Sequence, residues 1–193
     1  MMRATTAIVL AAGLSTRMRA QKLLLSVDGK PMLQHGLDLV RGLPFSRRVL
    51  VTTPEVAEQV EMAGIELVIN PVPEAGQSGS VQLGVLAAPP DDSLLFLMGD
   101  QPFLDAVTLE ALLAADDGQR IVYPVGPGNT PRSPVLFGPR FREALLALRG
   151  DEGGRQLRRQ YPGACLPVRI QSEWVLLDID TPADYREAAK RCL

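Results

Sequence analysis

The chain has 193 residues, of which 46% are hydrophobic, and this allows one sizeable core but leaves little room for two. Its formal net charge is −2 and no long basic run occurs, so neither a nucleic acid nor a membrane surface is expected as the main partner. Cys165 and Cys192 are far apart and outside any C-x-x-C pattern, which predicts neither a disulfide framework nor a thiolate zinc site. We expect a single domain over residues 1–193, without a membrane span, in a reduced, cytoplasmic setting.

An apolar segment near the amino terminus runs into a small, polar and cationic loop. Residues 7–11 are apolar without alternation, which is typical of a parallel strand covered on both faces, although a short buried helix has the same pattern. Gly13 allows a ligand to approach the backbone closely, and Ser15, Arg17 and Lys22 bring hydrogen-bond donors and positive charge. The segment predicts either a phosphate-binding loop or an ordinary glycine turn with solvated cations. It matches neither the G-x-G-x-x-G nor the G-x-x-x-x-G-K-[ST] fingerprint, which disfavours a dinucleotide dehydrogenase and a P-loop ATPase.

Helical and extended patterns alternate through the first half of the chain. Helices are predicted by three apolar faces: Leu33, Leu37 and Val40; Val56, Val60 and Ala63; Val81, Gly84, Val85 and Ala88. Strands are predicted at residues 48–52, Glu66–Ile69 and Ser93–Met98. This order predicts an α/β fold, a three-layer, Rossmann-like and mostly parallel sheet with helices on both faces.

A second glycine-rich loop precedes the third of these helices. Glycines and prolines exclude regular structure across residues 70–80, while Gln77, Ser78 and Ser80 bring hydrogen-bonding groups to the start of the helix. The side-chain amide of Gln77 has both hydrogen-bond donors and an acceptor for a ligand. From its chemistry alone, the segment is equally well an ordinary capped loop.

The strand at Ser93–Met98 ends in Gly99 and Asp100. Ligands of open α/β sheets lie outside the carboxyl ends of the strands, so Asp100 is expected to face the same crevice as Gly13 and Lys22. A carboxylate beside a bound phosphate group repels it unless a cation lies between them, and Mg²⁺ is usually held by one or two carboxylates plus phosphates. An aspartate at the end of a strand is also often only a helix cap.

The second half of the chain contains a long loop and two charged segments. Residues 126–134 are rich in glycine and proline, and a long loop of this kind is a natural place for substrate specificity. Asp178 and Asp180 precede Thr181, which caps the last predicted helix, and the cap does not account for these two carboxylates. Three arginines in an earlier helical segment are most simply explained as lying on a solvent-exposed helix face: Arg155, Arg158 and Arg159.

Four segments, in the same order along the chain, resemble the signature of the nucleotidyltransferases that make sugar nucleotides and the dinucleotide forms of the molybdenum cofactor. Residues 10–22 resemble L-A-[AG]-G-x-S-x-R-M-G-x-x-K and depart from it at Arg19, where the family usually has glycine. Residues 76–84 resemble the segment G-x-S-x-S-x-x-x-G, with which these enzymes cover the base. Residues 99–103 resemble G-D-x-P-[FL], and residues 178–182 resemble D-I-D-T-P.

The resemblance implies roles for individual residues. Arg17, Lys22 and Asp100 would carry the catalysis, and Mg²⁺ would be held by Asp100 and Asp180, with Asp178 as a further candidate ligand. The implied nucleotide-binding residues are Leu10, Ala11, Ala12, Gly13, Ser15, Arg17, Lys22, Gln77, Ser78, Ser80 and Gly99.

The acceptor segment departs from the family pattern. Where relatives of the molybdenum-cofactor type commonly have G-H-P-V-L-F, this chain has Arg132 and Ser133 before Pro134, so the histidine is missing. Residues 150–157 resemble the segment G-D-x-G-[AG]-R-x-L of the cytidylyltransferase branch and contain Arg155. Arg132, Ser133 and Arg155 are therefore the candidates for acceptor binding.

The implied reaction transfers a nucleoside monophosphate from a nucleoside triphosphate to a phosphate acceptor and releases pyrophosphate. Molybdopterin is the favoured acceptor, with a recipient molybdoenzyme as a further partner. Ala12 favours CTP, because guanylyltransferases of this type usually have Gly-Gly where the cytidylyltransferase branch has Ala-Gly. The alternatives are a GTP-using guanylyltransferase, a transferase acting on a sugar or alcohol phosphate, and a non-catalytic molybdopterin carrier. The carrier is disfavoured because it has no need of the cations and carboxylates of a metal-triphosphate site.

Overall fold

The computed structural model describes residues 3–13 and 21–191 of the chain. The strands are β1 (Thr5–Ala11), β2 (Ser26–Val27), β3 (Lys30–Pro31), β4 (Arg47–Thr52), β5 (Glu66–Ile69), β6 (Ser93–Met98), β7 (Ile121–Val125), β8 (Val135–Phe137) and β9 (Cys165–Arg169). The helices are α1 (Met32–Arg41), α2 (Pro54–Ala57), α3 (Gln77–Ala87), α4 (Ala106–Ala114), α5 (Arg142–Leu146), α6 (Gly154–Gln160) and α7 (Pro182–Arg191). Within these ranges, no helix is long and apolar enough to cross a membrane. The single domain over residues 1–193 includes positions outside these ranges and stays a prediction.

The main sheet has seven strands in the order β5-β4-β1-β6-β8-β7-β9. Strands β5, β4, β1 and β6 run parallel, and so do β7 and β9, whereas β8 is antiparallel to its two neighbours. One hydrophobic core lies between the sheet and helices α1 and α4, and a second lies between the sheet and helices α3, α5 and α6. The predicted α/β fold, a mostly parallel sheet with helices on both faces, is confirmed.

Strand β1 lies at the centre of the parallel part of the sheet, and all its residues are buried. Ala7 and Val9 enter the core beneath α1, whereas Ile8 and Leu10 enter the core beneath α3, so the strand sequence shows no alternation. Helix α3 approaches β1 closely at Gly84, where an added Cβ would lie 2.5 Å from Ile8 Cγ2. Because β1 has neighbouring strands on both sides, its carboxyl end lies in the interior of one edge of the sheet.

Helix α2 is shorter than the sequence pattern predicts. It ends at Ala57, whereas the apolar spacing indicates a helix that continues to Ala63. The backbone beyond α2 is held by side chains of α1, since Gln34 Oε1 accepts a hydrogen bond from the Glu61 N–H at 2.9 Å and Arg41 donates to the Glu61 carbonyl at 3.0 Å. These distant partners satisfy backbone groups that a longer helix would have paired locally.

Two further elements differ from the sequence prediction. Helix α3 begins at Gln77, within the predicted loop, directly after Gly76, whose φ of 102° suits glycine. Strand β8 was not predicted as a strand; it lies between β6 and β7, and its three residues are buried. The acceptor segment is therefore anchored in the sheet at its carboxyl-terminal side.

Candidate active site

The carboxyl ends of β1 and β6 meet at a cavity of about 530 Å³. As expected from the strand order, Gly13, Lys22 and Asp100 share this cavity. Gly99 lets the end of β6 lie close to β1, since an added Cβ would be 3.3 Å from the Ala11 side chain. The predicted nucleotide-binding residues that line the cavity are Leu10, Ala11, Ala12, Gly13, Lys22, Gln77, Ser80 and Gly99.

Lys22 links two carboxylates in this cavity. Its Nζ donates hydrogen bonds to Asp100 Oδ2 at 2.6 Å and to Asp180 Oδ1 at 2.7 Å. Burial lowers the pKa of Lys22, but the two carboxylates outweigh burial and hold that pKa above its usual value. Lys22 is therefore a cation at neutral pH, and its charge is shared between two anionic partners.

The start of α7 positions Asp180. Asp184 Oδ2 accepts hydrogen bonds from the N–H groups of Thr181 at 2.8 Å and Asp180 at 3.1 Å, and Thr181 Oγ1 accepts one from the Asp184 N–H at 3.2 Å. This reciprocal arrangement is a capping box, and it begins at Thr181, the residue predicted to cap the last helix. The Ile179 N–H donates to the Asp100 carbonyl at 3.0 Å, which brings Asp180 beside the end of β6.

Asp100 and Asp180 are suited to share a divalent cation. One oxygen of each already converges on a single positive centre, Lys22 Nζ. The other oxygen of Asp100, Oδ1, is buried without a hydrogen-bond partner in the described part of the chain. Within residues 3–13 and 21–191, no group of three or more Asp, Glu, His or Cys side chains is arranged to hold a metal. A pair of carboxylates with room for phosphate oxygens is the donor set that Mg²⁺ commonly takes.

Asp178 lies beside this pair of carboxylates. Burial, together with the charges of Asp100 and Asp180, raises the pKa of Asp178 to about 6, although Arg132 and Lys22 act in the opposite direction. The Arg132 guanidinium is nearby, with 3.7 Å between Nη1 and Asp178 Oδ2. The role of Asp178 as a metal ligand stays a prediction.

A second cavity, of about 490 Å³, adjoins the first, and four residues line both of them: Leu10, Gln77, Met98 and Asp151. Its apolar lining includes Val81, Phe96, Val135, Phe137 and Leu145. All three predicted acceptor-binding residues line it as well, namely Arg132, Ser133 and Arg155. The two cavities provide adjacent spaces for two ligands.

Two contacts hold the loop at residues 126–134 against this cavity. Gln101, which is buried directly after Asp100, donates from Nε2 to the Ser133 carbonyl at 3.2 Å. Glu173 Oε1 accepts a hydrogen bond from the Gly128 N–H at 2.8 Å. Neither Gln101 nor Glu173 is predictable as a positioning residue from the sequence, because both bonds run to the backbone of a distant loop and leave no local pattern.

Arg158 lies in a different environment from the one that its sequence pattern predicts. Like Arg159, it is expected on a solvent-exposed helix face. Arg158 is instead half-buried and lines the second cavity, and its Cζ lies 4.8 Å from the centre of the Tyr123 ring. The spacing of Arg158 from Gly154 and Leu157 could have indicated its burial, because these three residues share one helical face. Leu157, on that face, is fully buried. Arg159 is exposed, as expected.

Some predicted residues are not placed in a cavity. Ser15 and Arg17, as well as the departure at Arg19, lie outside the described residues. Ser78 is buried and lines neither of the two cavities, and its N–H donates to the Gly150 carbonyl at 3.0 Å. The assignments of individual site residues stay predictions.

A doubly covered α/β sheet, with a lysine and carboxylates at its carboxyl edge, places the chain in the class of open α/β proteins that bind their ligands at that edge. Residues 7–165 match the family model described as the MobA-like NTP transferase domain. The chain belongs to this family of nucleotidyltransferase domains.

Individual relatives agree with this assignment. The bifunctional protein GlmU of Polaromonas naphthalenivorans is 30% identical over 188 residues, which are 87% of this chain and 40% of that protein. The chain thus spans about 40% of the length of that curated relative. A homologue of Mycobacterium tuberculosis Rv0371c from Mycobacterium sp. strain JC1 has a TM-score of 0.87 at 26% identity, covering 97% of this chain and 96% of that one. Rv0371c of M. tuberculosis H37Rv, in complex with manganese, shares the fold with a TM-score of 0.85 at 22% identity, covering 98% of this chain and all (100%) of that one.

Proposed function

We propose that the protein transfers CMP from CTP to the phosphate group of molybdopterin, releases pyrophosphate and uses Mg²⁺. The observation that carries this proposal is the meeting of Lys22, Asp100 and Asp180 in a cavity that adjoins a second, arginine-lined one. The first cavity is the donor site and the second is the acceptor site. Each has the size of a small-molecule pocket.

The chemistry requires charge neutralisation and positioning more than a protein nucleophile. An oxygen of the acceptor phosphate attacks the α-phosphorus of the triphosphate, the bond from that phosphorus to the bridging oxygen breaks, and pyrophosphate leaves. Lys22, together with the predicted Arg17, binds the negative charge of the triphosphate. Mg²⁺ held by Asp100 and Asp180 would neutralise phosphate oxygens that these carboxylates otherwise repel.

The choice of a divalent cation is supported by the donor chemistry of Asp100 and Asp180 and by a relative. The structure of M. tuberculosis Rv0371c, which shares this fold, is a complex with manganese. Mn²⁺ and Mg²⁺ both suit carboxylate and phosphate oxygens. Mn²⁺ is therefore a useful experimental substitute in binding assays.

The choice of CTP depends on the end of β1. Ala12 is 6% exposed and lines the donor cavity, so its methyl group reduces the space there for a purine. Gln77 lines the same cavity, and its Oε1 would lie 2.6 Å from a Cβ added to Gly153, so the start of α6 limits where the amide can lie. An amide held in one position can form hydrogen bonds only with a base whose edge presents complementary donors and acceptors.

A sugar or alcohol phosphate is the second candidate acceptor. It is favoured by the residues before Pro134, where Arg132 and Ser133 stand in place of the histidine of the molybdopterin-type sequence pattern. Both residues line the acceptor cavity, so the missing histidine changes the groups that contact the bound acceptor.

The test is a thermal-shift screen of the four nucleoside triphosphates with Mg²⁺, followed by pyrophosphate release with molybdopterin and with a panel of sugar phosphates. We expect CTP with Mg²⁺ to raise the melting temperature most, and molybdopterin to support pyrophosphate release. Pyrophosphate release with a sugar phosphate alone would reject the molybdopterin acceptor. The absence of any stabilisation by a triphosphate would reject the donor site itself.

A further inference from the structure

Gln101 connects two backbone segments that meet beside the acceptor cavity. Its Nε2 donates hydrogen bonds to the Ser133 carbonyl at 3.2 Å and to the Leu176 carbonyl at 3.3 Å. Ser133 belongs to the acceptor loop, residues 126–134, and Leu176 ends a short turn, Glu173–Leu176. Both partners are carbonyl oxygens, so only the amide nitrogen can face them, and this fixes the orientation of the amide. One side chain thus joins the acceptor loop to the turn.

The turn leads into the aspartates that precede α7. The Leu176 carbonyl accepts a hydrogen bond from Gln101, and three residues later the Ile179 N–H donates to the Asp100 carbonyl at 3.0 Å. Asp178 lies between these two points of attachment. Because Gln101 directly follows Asp100, one short stretch after β6 holds this segment at both points.

A second contact between the acceptor loop and the turn is made by Glu173. Its Oε1 accepts a hydrogen bond from the Gly128 N–H at 2.8 Å. A Cβ added to Gly128 would lie 2.7 Å from the same oxygen, so the loop backbone fits closely against this side chain. The loop is therefore attached to the turn at two separate places, Gly128 and Ser133.

The attachment at Ser133 places a cation beside a carboxylate. Arg132 directly precedes Ser133 and lines the acceptor cavity. Its Nη1 lies 3.7 Å from Asp178 Oδ2, on the segment that Gln101 also holds. The distance between this acceptor-side cation and the aspartates thus depends on how the two segments are joined.

The burial of Gln101 indicates what its side chain contributes. The residue is 2% exposed, and its Oε1 has no hydrogen-bond partner in the part of the chain that the structure describes. A buried acceptor without a partner is costly, so packing alone would favour an apolar side chain of similar size. Only the amide, however, can donate to both carbonyls. The contribution of Gln101 is therefore this pair of bonds.

We propose that Gln101 is a positioning residue for the reaction, because it fixes the acceptor loop relative to the aspartates that precede α7. An acceptor phosphate beside Arg132 is then held within reach of the α-phosphate in the donor cavity. Small errors in the placement of reacting groups lower rates strongly. This inference rests on the proposed function, since it takes the second cavity as the acceptor site.

The first measurement is hydrogen exchange of the full chain without ligands. Gln101→Met keeps the approximate size of the side chain but removes both bonds, so amides in residues 126–134 and 173–180 should exchange roughly tenfold faster or more. The matched control is Gln82→Met, because Gln82 Nε2 also donates to two backbone carbonyls, those of Leu146 and Leu148, each at 2.9 Å. The control should leave exchange in these two segments unchanged. Equal exchange in Gln101→Met and the parent overturns the inference.

Kinetics with CTP, Mg²⁺ and molybdopterin separate positioning from folding. Gln101→Met should lower kcat/KM for the acceptor roughly tenfold or more, while KM for CTP stays within about twofold. Gln82→Met should keep the parent's values for both substrates. Faster exchange in Gln101→Met with the parent's acceptor kinetics would make Gln101 merely structural and overturn the inference.

Melting temperatures identify a variant that fails to fold. In that case Gln101→Asn replaces Gln101→Met, because its amide is too short to reach both carbonyls, and it should act in the same direction in both measurements. If no acceptor supports pyrophosphate release even in the parent, the proposed function fails. The exchange comparison then decides by itself whether Gln101 joins the two segments.

Discussion

The ammonium nitrogen of Lys22 lies 2.6 Å from Asp100 Oδ2, and its second partner, Asp180 Oδ1, is 2.7 Å away. The lysine thus stands between the two carboxylates proposed to hold the metal. An ammonium group and a divalent cation cannot share this position, because like charges a few ångströms apart repel strongly in a half-buried site. We infer that a metal and Lys22 compete for these oxygens, and that Lys22 turns to the phosphates when a metal-triphosphate binds.

Replacing Lys22 should therefore have opposite effects on metal binding and on turnover. Lys22→Met should bind Mn²⁺ at least tenfold more tightly without nucleotide, because the competing charge is gone, yet its pyrophosphate release should fall by roughly two orders of magnitude. Isothermal titration with Mn²⁺ and a pyrophosphate assay measure the two effects. Lys30→Met, which removes a surface lysine paired with Asp38, is the control. A lower melting temperature as the only effect would make Lys22 structural.

Asp100→Asn should nearly abolish pyrophosphate release, by a factor of roughly 10² or more, while the protein still folds. The amide keeps the size of the side chain but loses the charge that a divalent cation needs, and Lys22 keeps Asp180 as a partner. Asp91→Asn, at an exposed position, controls for the loss of one negative charge. Full activity of Asp100→Asn with a retained Mg²⁺ requirement would remove Asp100 from the proposed metal site.

Ala12→Gly should weaken the preference for CTP over GTP. Removing one methyl group from the donor cavity relieves a steric misfit worth about 1–3 kcal/mol, roughly 10- to 200-fold in kcat/KM. The measurement is kcat/KM for both nucleotides with molybdopterin, in the parent and in the variant. A parent that prefers GTP contradicts the CTP assignment. An unchanged CTP preference in Ala12→Gly would indicate that Gln77 determines the nucleotide selectivity. Gln77→Ala is then the next variant to measure.

Two glycines on opposite faces of the sheet should respond oppositely to alanine. At Gly84, a Cβ would lie 2.5 Å from Ile8 Cγ2 and 3.5 Å from Val51 Cγ2, so Gly84→Ala should lower the free energy of unfolding by about 1–3 kcal/mol. At Gly36, within α1, an added Cβ meets no atom within 4 Å, and Gly36→Ala should raise it by about 0.5–1 kcal/mol. Urea denaturation measures both. Equal stability of Gly84→Ala and the parent would contradict the close approach of α3 to β1.

Much of the site's location follows from the sequence. The patterns at Glu66–Ile69 and Ser93–Met98 predict β5 and β6 with the observed bounds, and the order of elements predicts a shared edge for Gly13, Lys22 and Asp100. The individual contacts are not predictable in this way. The bond from Gln101 to the Ser133 carbonyl and the approach of Lys22 to Asp180 join segments 32 and 158 positions apart.

The sequence by itself determined the α/β class, the burial of residues 7–11 and the edge of the sheet where charged residues gather, because apolar periodicity and the order of elements report local burial and direction. Only the tertiary structure decided that α2 stops at Ala57, that β8 enters the sheet antiparallel and that Arg158 is half-buried over Tyr123. In each case the deciding partner is remote in the chain: a side chain of α1, two flanking strands or an aromatic ring on β7. Local pattern cannot specify a hydrogen bond or a ring contact whose other half is supplied by packing.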